Sequence, residues 1–216
     1  MRLQIGDAAF YRGMRLLLTR HAGGNVDNQD IRAAFEEESG TDWLRGEDGA
    51  DVLLGNGGSD QLSPSTDAAD GDTDEMSGGA GNDLYGVFEA GDLVFEATGE
   101  GSDSVAAHIS YTLGVNVENL ALHGTATLGG GNASDNNITG NANDNSLFGQ
   151  SGNDFLSGGD GADTLDGGGG SDSVLGGDGD DLIFAGAGND SLQGQNGNDS
   201  FIWIWVDGRD TFVAAL

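Results

Sequence analysis

Cysteine and lysine are both absent from this 216-residue chain, proline occurs once and histidine three times. Without cysteine there are no disulfides, no zinc–thiolate sites and no thiol nucleophile. Without lysine there is no Walker A phosphate loop, which requires that residue. Positive charge is scarce: seven arginines face 37 acidic residues, for a formal net charge of −30. Such a field repels nucleic acid and anionic membrane surfaces and attracts cations. Long apolar runs are missing too. The longest is six residues, 201–206, far short of the roughly 18 that a membrane-spanning helix needs.

What the chain has in excess is glycine, 41 residues, without the three-residue period of collagen. The glycines follow a nine-residue period instead. Residues 131–202 divide into eight units: GNASDNNIT, GNANDNSLF, GQSGNDFLS, GGDGADTLD, GGGGSDSVL, GGDGDDLIF, AGAGNDSLQ and GQNGNDSFI. From the third unit on, position four is glycine (Gly152, Gly161, Gly170, Gly179, Gly188, Gly197) and position six is aspartate (Asp154, Asp163, Asp172, Asp181, Asp190, Asp199). Position eight is apolar in all eight units: Ile138, Leu147, Leu156, Leu165, Val174, Ile183, Leu192 and Phe201. A disordered low-complexity tract has no reason to keep an apolar residue at every ninth place. The first two units carry Asn136 and Asn145 at position six, with Ser134 and Asn143 at position four, so they are expected to continue the strands but to bind metal poorly or not at all.

A shorter block precedes this one. EESGTDWLR, GEDGADVLL and GNGGSDQLS cover residues 37–63, with Asp42, Asp51 and Asp60 at position six. PSTDA, 64–68, reads as a five-residue insertion that bulges away from the strands because it holds the proline. ADGDTDEMS and GGAGNDLYG then close the block at residue 86, with Asp74 and Asp83. Five segments result: a poorly defined 1–36 with one short helix expected near Asp30–Glu38, a first repeat block 37–86, a strand-rich connection 87–130, a second block 131–202, and a tail 203–216. In the tail, Trp203 and Trp205 are expected on one strand face, covering the open end of the array; a partner-binding edge is the competing reading. An apolar patch at 14–18 lies among Arg12, Arg15 and Arg20, and no small-residue cleavage site follows it, which argues against a cleaved signal peptide.

The nonapeptide GGxGxDxUx, with U apolar, is similar to the repeat of the RTX (hemolysin-type calcium-binding) family. The segment 89–130, EAGDLVFEATGEGSDSVAAHISYTLGVNVENLALHGTATLGG, resembles the connection that often joins two repeat blocks in such proteins. Together the likeness covers 37–202, about three quarters of the chain. It implies an all-β fold, a parallel β-roll with two nonapeptides per turn, so that residues 18 apart stack. Asp154, Asp172 and Asp190 would then line one side, and Asp163, Asp181 and Asp199 the other, with Asp42 over Asp60; past the insertion, Asp51 would stand near Asp74 and Asp60 near Asp83. The implied cofactor is calcium, held by the position-six carboxylates and by backbone carbonyls that the glycines turn inward. Neighbouring strands lie about 4.8 Å apart, so adjacent ionised carboxylates repel by roughly 3–4 kcal/mol at an effective dielectric of 20. Without calcium the array should be mostly unfolded, and binding energy becomes folding energy.

No catalytic constellation accompanies the repeats. HExxH and GxSxG are missing, and His21, His108 and His123 stand far apart in unrelated contexts. The expectation is a secreted, non-catalytic calcium-binding module, exported by the type I route that the resemblance implies. Two alternatives stay open: an accessory module of a secreted enzyme such as an alginate epimerase, lipase or protease, or a piece of a calcium-dependent adhesin. A protein or polysaccharide partner is left unnamed by the sequence.

Overall fold

The computed structural model describes residues 40–46, 49–64, 73–202 and 209–213. The helix expected near Asp30–Glu38, most of the 64–68 insertion and the Trp203–Val206 strand lie outside these residues. All pairing among the described strands is parallel, and no helix occurs among them. Alternate strands fall on opposite faces of a solenoid. One face is a single ten-stranded sheet that runs from Trp43–Arg45 through Leu84–Val87, Ser104–Ala107, Asn119–Leu122 and Phe155–Asp160 to Thr211–Val213. The opposite face is split into a three-stranded sheet, within 52–94, and a six-stranded sheet, within 111–202.

The nine-residue period produces this arrangement directly. The last three residues of each regular unit form a strand, which in Phe155–Asp160, Ser173–Asp178 and Ser191–Asn196 runs on into the next unit, so the apolar position eight points between the sheets while its neighbours point outward. Ile138, Leu147, Leu156, Leu165, Val174, Ile183 and Leu192 are fully buried, and they continue a core that begins at Leu44, Leu53, Leu62, Met76 and Tyr85. Phe201 is half-buried at the end of the stack. Each turn contributes one large apolar side chain per face, and stacking turns is the way such a chain builds a continuous core.

Register records the history of the repeat. Over the second block every pair is 18 residues apart, as in Leu156 with Val174 and Leu165 with Ile183. In the first block Leu53 pairs with Met76 and Leu62 with Tyr85, 23 residues apart, five more than the regular 18 and equal to the length of the insertion. The connection at 87–130 is built into the same roll. Tyr85 pairs with Val105 at a spacing of 20, and Val105 with Leu120 at a spacing of 15, so uneven turns still place an apolar residue in the core column. The 15-residue turn also corrects the expectation about the histidines. It sets His108 against His123 with ring centroids 5.3 Å apart, and Phe88 stacks on His108 at 4.4 Å.

The stack continues past Ile202. Thr211–Val213 pairs with Ser191–Gln193 at a spacing of 20, and Phe212 meets Phe201 edge-on at 5.7 Å. The tail therefore contributes a further repeat-like rung to the ten-stranded sheet. Because every turn leans on its neighbours, a cavity in the middle should be felt throughout. Ile183→Ala is expected to destabilise the folded roll by roughly 2–5 kcal/mol, read as a lowered denaturant midpoint.

Candidate metal centre

The position-six aspartates stack in two columns between successive turns. Each carboxylate uses Oδ1 to accept the backbone N–H of the aspartate one turn earlier. Asp154 N donates to Asp172 at 2.8 Å and Asp172 N to Asp190 at 2.9 Å; in the other column Asp163 N donates to Asp181 at 2.9 Å and Asp181 N to Asp199 at 3.2 Å. The first block repeats the pattern, with Asp42 N on Asp60, Asp51 N on Asp74 and Asp60 N on Asp83, each at 2.7 Å. The structure thus brings together the residues that the spacing pairs, including those offset by the insertion.

The second carboxylate oxygen has no such use. Oδ2 of Asp83, Asp154, Asp163, Asp172, Asp181 and Asp190 is buried without a hydrogen-bond partner. A buried carboxylate oxygen left unpartnered is costly, so the space it faces is informative. That space is lined by oxygen. A Cβ placed on Gly149 would run into Asp154 Oδ2 and, at 2.5 Å, into the Gly167 carbonyl oxygen. The same holds at Gly158 with Asp163 Oδ2 and the Gly176 carbonyl, and at Gly176 with Asp181 Oδ2 and the Gly194 carbonyl. Position one is therefore glycine in these units, and the cradle it leaves is lined by carboxylate and carbonyl oxygens; the unit of Asp190 instead carries the buried Ala185 there.

The position-four glycines close the turn. Gly152, Gly161, Gly170, Gly179, Gly188 and Gly197 have φ between +119° and +144°, a region that side chains rarely enter. A Cβ on Gly188 would also overlap the Gly170 carbonyl oxygen of the turn below, and Gly197 stands likewise over Gly179. Position five supports the turn from outside, as expected for Asn or Asp: Asp135 accepts from Asn153 N at 2.6 Å and Asn153 accepts from Ser171 N at 2.8 Å.

Oxygen-only surroundings suit a hard cation of the calcium type and offer nothing that zinc or copper prefers. Seven arginines against 37 acidic residues leave a large excess of negative charge for cations from solution to balance. Burial, reinforced by the next carboxylate in the column, pushes Asp154, Asp163 and Asp172 up to about 6. Asp83 is pushed to about 6 by burial and by its neighbours Asp60 and Asp103, and Asp181 and Asp190 are raised for the same two reasons.

The two asparagine units show the alternative. Asn136 Oδ1 accepts from Asn132 N at 2.7 Å, and its amide donates to the Val117 carbonyl at 3.2 Å. Asn145 Oδ1 accepts from Asn141 N at 2.7 Å while its amide donates to the Ala126 carbonyl at 3.3 Å. An amide brings its own donors, so these turns close on themselves where the aspartate turns leave an oxygen open.

Three acidic positions, Asp103, Asp210 and Glu96, were not picked out by the spacing, which did place Asp74 at position six beside Asp51. Asp74 and Asp103 are buried rungs of the columns, Asp103 accepting from Asp83 N at 2.8 Å, and Asp210 accepts from Asp190 N at 3.2 Å. The signal for Asp103 and Asp210 was present in GSDSV and GRDTF, which keep positions four to eight of the motif inside an irregular turn. Buried Glu96 has no such signal.

These observations define a calcium-binding β-roll. The model of the RTX calcium-binding nonapeptide repeat matches residues 38–65, 68–85 and, in overlapping copies, 130–201. The matches cover more than half of the chain, which belongs to that repeat family. The chain is also similar to two glycanases of Rhizobium meliloti (strain 1021). Endo-1,3-1,4-beta-glycanase ExsH is 35% identical over 103 residues, 46% of this chain and 21% of that protein. Endo-1,3-1,4-beta-glycanase EglC is 33% identical over 102 residues, 47% of this chain and 21% of that protein. The aligned region is thus about a fifth of each relative.

Protonation should partly replace the metal. The folded carboxylates titrate near 6 and unfolded aspartates near 3.9, so the folded state holds more protons between those values. Their contribution to stability is full below about pH 4 and is lost as the pH rises through about 6. Far-UV circular dichroism of the metal-free chain should therefore show more β-structure at pH 5 than at pH 7.5, whereas calcium affinity should be weaker at pH 5, where protons compete for the same carboxylates.

Proposed function

We propose that this chain is the calcium-dependent β-roll module of a secreted protein, without catalysis of its own, attached to or acting beside an enzyme that works on extracellular polysaccharide. The observation that carries the reading is the column of buried Oδ2 atoms that face carbonyl oxygens and have no partner in the protein. Asp42, Asp51, Asp60, Asp83, Asp154, Asp163, Asp172, Asp181, Asp190 and Asp199 are the proposed carboxylate ligands. Gly152, Gly161, Gly170, Gly179, Gly188 and Gly197 shape the turns that deliver the carbonyls. Bound calcium supplies the positive charge that the columns lack, and each ion ties two successive turns together.

The coupling to location follows from magnitudes. Extracellular modules bind calcium with dissociation constants of about 10⁻⁴–10⁻³ M, well above cytosolic concentrations. The chain would stay unfolded and exportable inside the cell, then fold outside, as the type I export implied by the repeats requires. The link to polysaccharide rests on the two similar glycanases, whose aligned parts lie in the half of the chain that the comparison covers. In this role the roll is an accessory that folds beside a catalytic domain.

A calcium titration followed by far-UV circular dichroism tests the reading: a disordered spectrum should convert to a β-rich one at about 10⁻⁴–10⁻³ M calcium. A spectrum that stays unchanged up to about 10 mM would sink it. Asp172→Asn carries a finer expectation, because an amide at that position has the donors that Asn136 uses to close its turn. Isothermal titration should count fewer calcium ions in this variant than in the parent, and folding should need less calcium.

A further inference from the structure

One buried cluster is not made by the nonapeptide motif. Val94 pairs with Met76, so Glu96 stands where Gly78 stands one turn earlier. A Cβ on Gly78 would run into the Asp83 carboxylate, so that turn has no room for a side chain at this place. Glu96 precedes Asp103 by seven residues, where Gly78 precedes Asp83 by five. The two extra residues match the 20-residue spacing of Tyr85 and Val105, and the longer loop makes room for a side chain in the cradle.

That side chain is an acid, and it points at two others. One oxygen each from Asp83, Glu96 and Asp103 lies within 4.8 Å of the other two. Calcium–oxygen bonds of 2.3–2.6 Å place ligands on opposite sides of the ion about 4.6–5.2 Å apart, so the three fit around one ion. The groups are held with an oxygen to spare. Asp83 Oδ1 is tied to Asp60 N at 2.7 Å, and Glu96 Oε1 accepts from the Tyr85 hydroxyl, which itself receives Gly78 N at 2.6 Å. Asp83 Oδ2 and Glu96 Oε2 remain without a partner, on residues only 2% and 9% exposed.

We propose that Asp83, Glu96 and Asp103 form a three-carboxylate site for a calcium-sized cation, filled ahead of the repeat columns, that clamps the connecting segment onto the first repeat block. More ligand charge raises calcium affinity, and this site adds a carboxylate where the regular turns have glycine. The proposal leans on the calcium reading only for the identity of the ion; the carboxylate geometry stands separately. Tyr85 would serve as the positioning residue that orients Glu96.

Terbium luminescence on the full chain tests it, because an ion at this site lies beside the Tyr85 phenol. The first equivalent of Tb3+ should give tyrosine-sensitised emission that calcium displaces and that Tyr85→Phe removes without changing the number of ions bound. Glu96→Gln, which keeps the shape, should weaken the first calcium equivalent at least tenfold in isothermal titration and leave the later ones in place. Asp172→Asn should do the reverse. First-equivalent emission that survives Tyr85→Phe, or a first calcium equivalent unaffected by Glu96→Gln, would overturn the proposal. A chain that binds no calcium in the columns yet takes up one Tb3+ beside Tyr85 would uphold this site while ending the calcium reading of the repeats.

Discussion

Stacked carboxylates set the terms for everything else in this molecule. Each turn places an aspartate directly above another, anchors one of its oxygens to the main chain of the turn before, and buries the other. Like charges at strand spacing repel, and the low dielectric between the turns sharpens the effect. The apolar core cannot easily offset this, since each turn adds only one large apolar side chain to each face. The fold therefore depends on something that neutralises the columns, whether protons or a divalent cation.

Three solutions to that problem coexist along the roll. The regular units leave an oxygen cradle to be filled from solution. The Asn136 and Asn145 turns fill the same space with their own amide groups and need nothing from outside. The turn at 96–103 goes the other way, lengthening its loop and adding a third acid. With the proposed ligands, calcium demand would be uneven along the axis: high in the second block from Asp154 onward, low just before it, and concentrated again where the first block meets the connection. On that reading the asparagine turns would be a place from which order can spread into the calcium-dependent turns on the C-terminal side, as neighbour-coupled repeats allow.

Such uneven dependence would suit the proposed role, in which the module is unfolded in one compartment and folded in another. Folding on binding makes stability a function of ion concentration. The absence of cysteine and lysine fits the same logic, because neither disulfides nor lysine–carboxylate pairs stand in for the ion.

The core column, the 18-residue stacking and the aspartate pairs were legible because position in a strict repeat is itself a coordinate: equal spacing along the chain becomes equal height along the roll. Even the 23-residue pairs follow once the insertion holding Pro64 is recognised. Where spacing becomes irregular, sequence distance no longer measures height. Only the folded turns show that His108 stacks on His123, at which rungs the motif remnants around Asp103 and Asp210 join the columns, and that Glu96 lies within reach of Asp83. The period determined which residues are core and which carboxylates stack in the columns, because it maps chain onto axis. The tertiary structure decided which irregular residues share a site, because loop length, and not residue identity, sets where a side chain off the period can go.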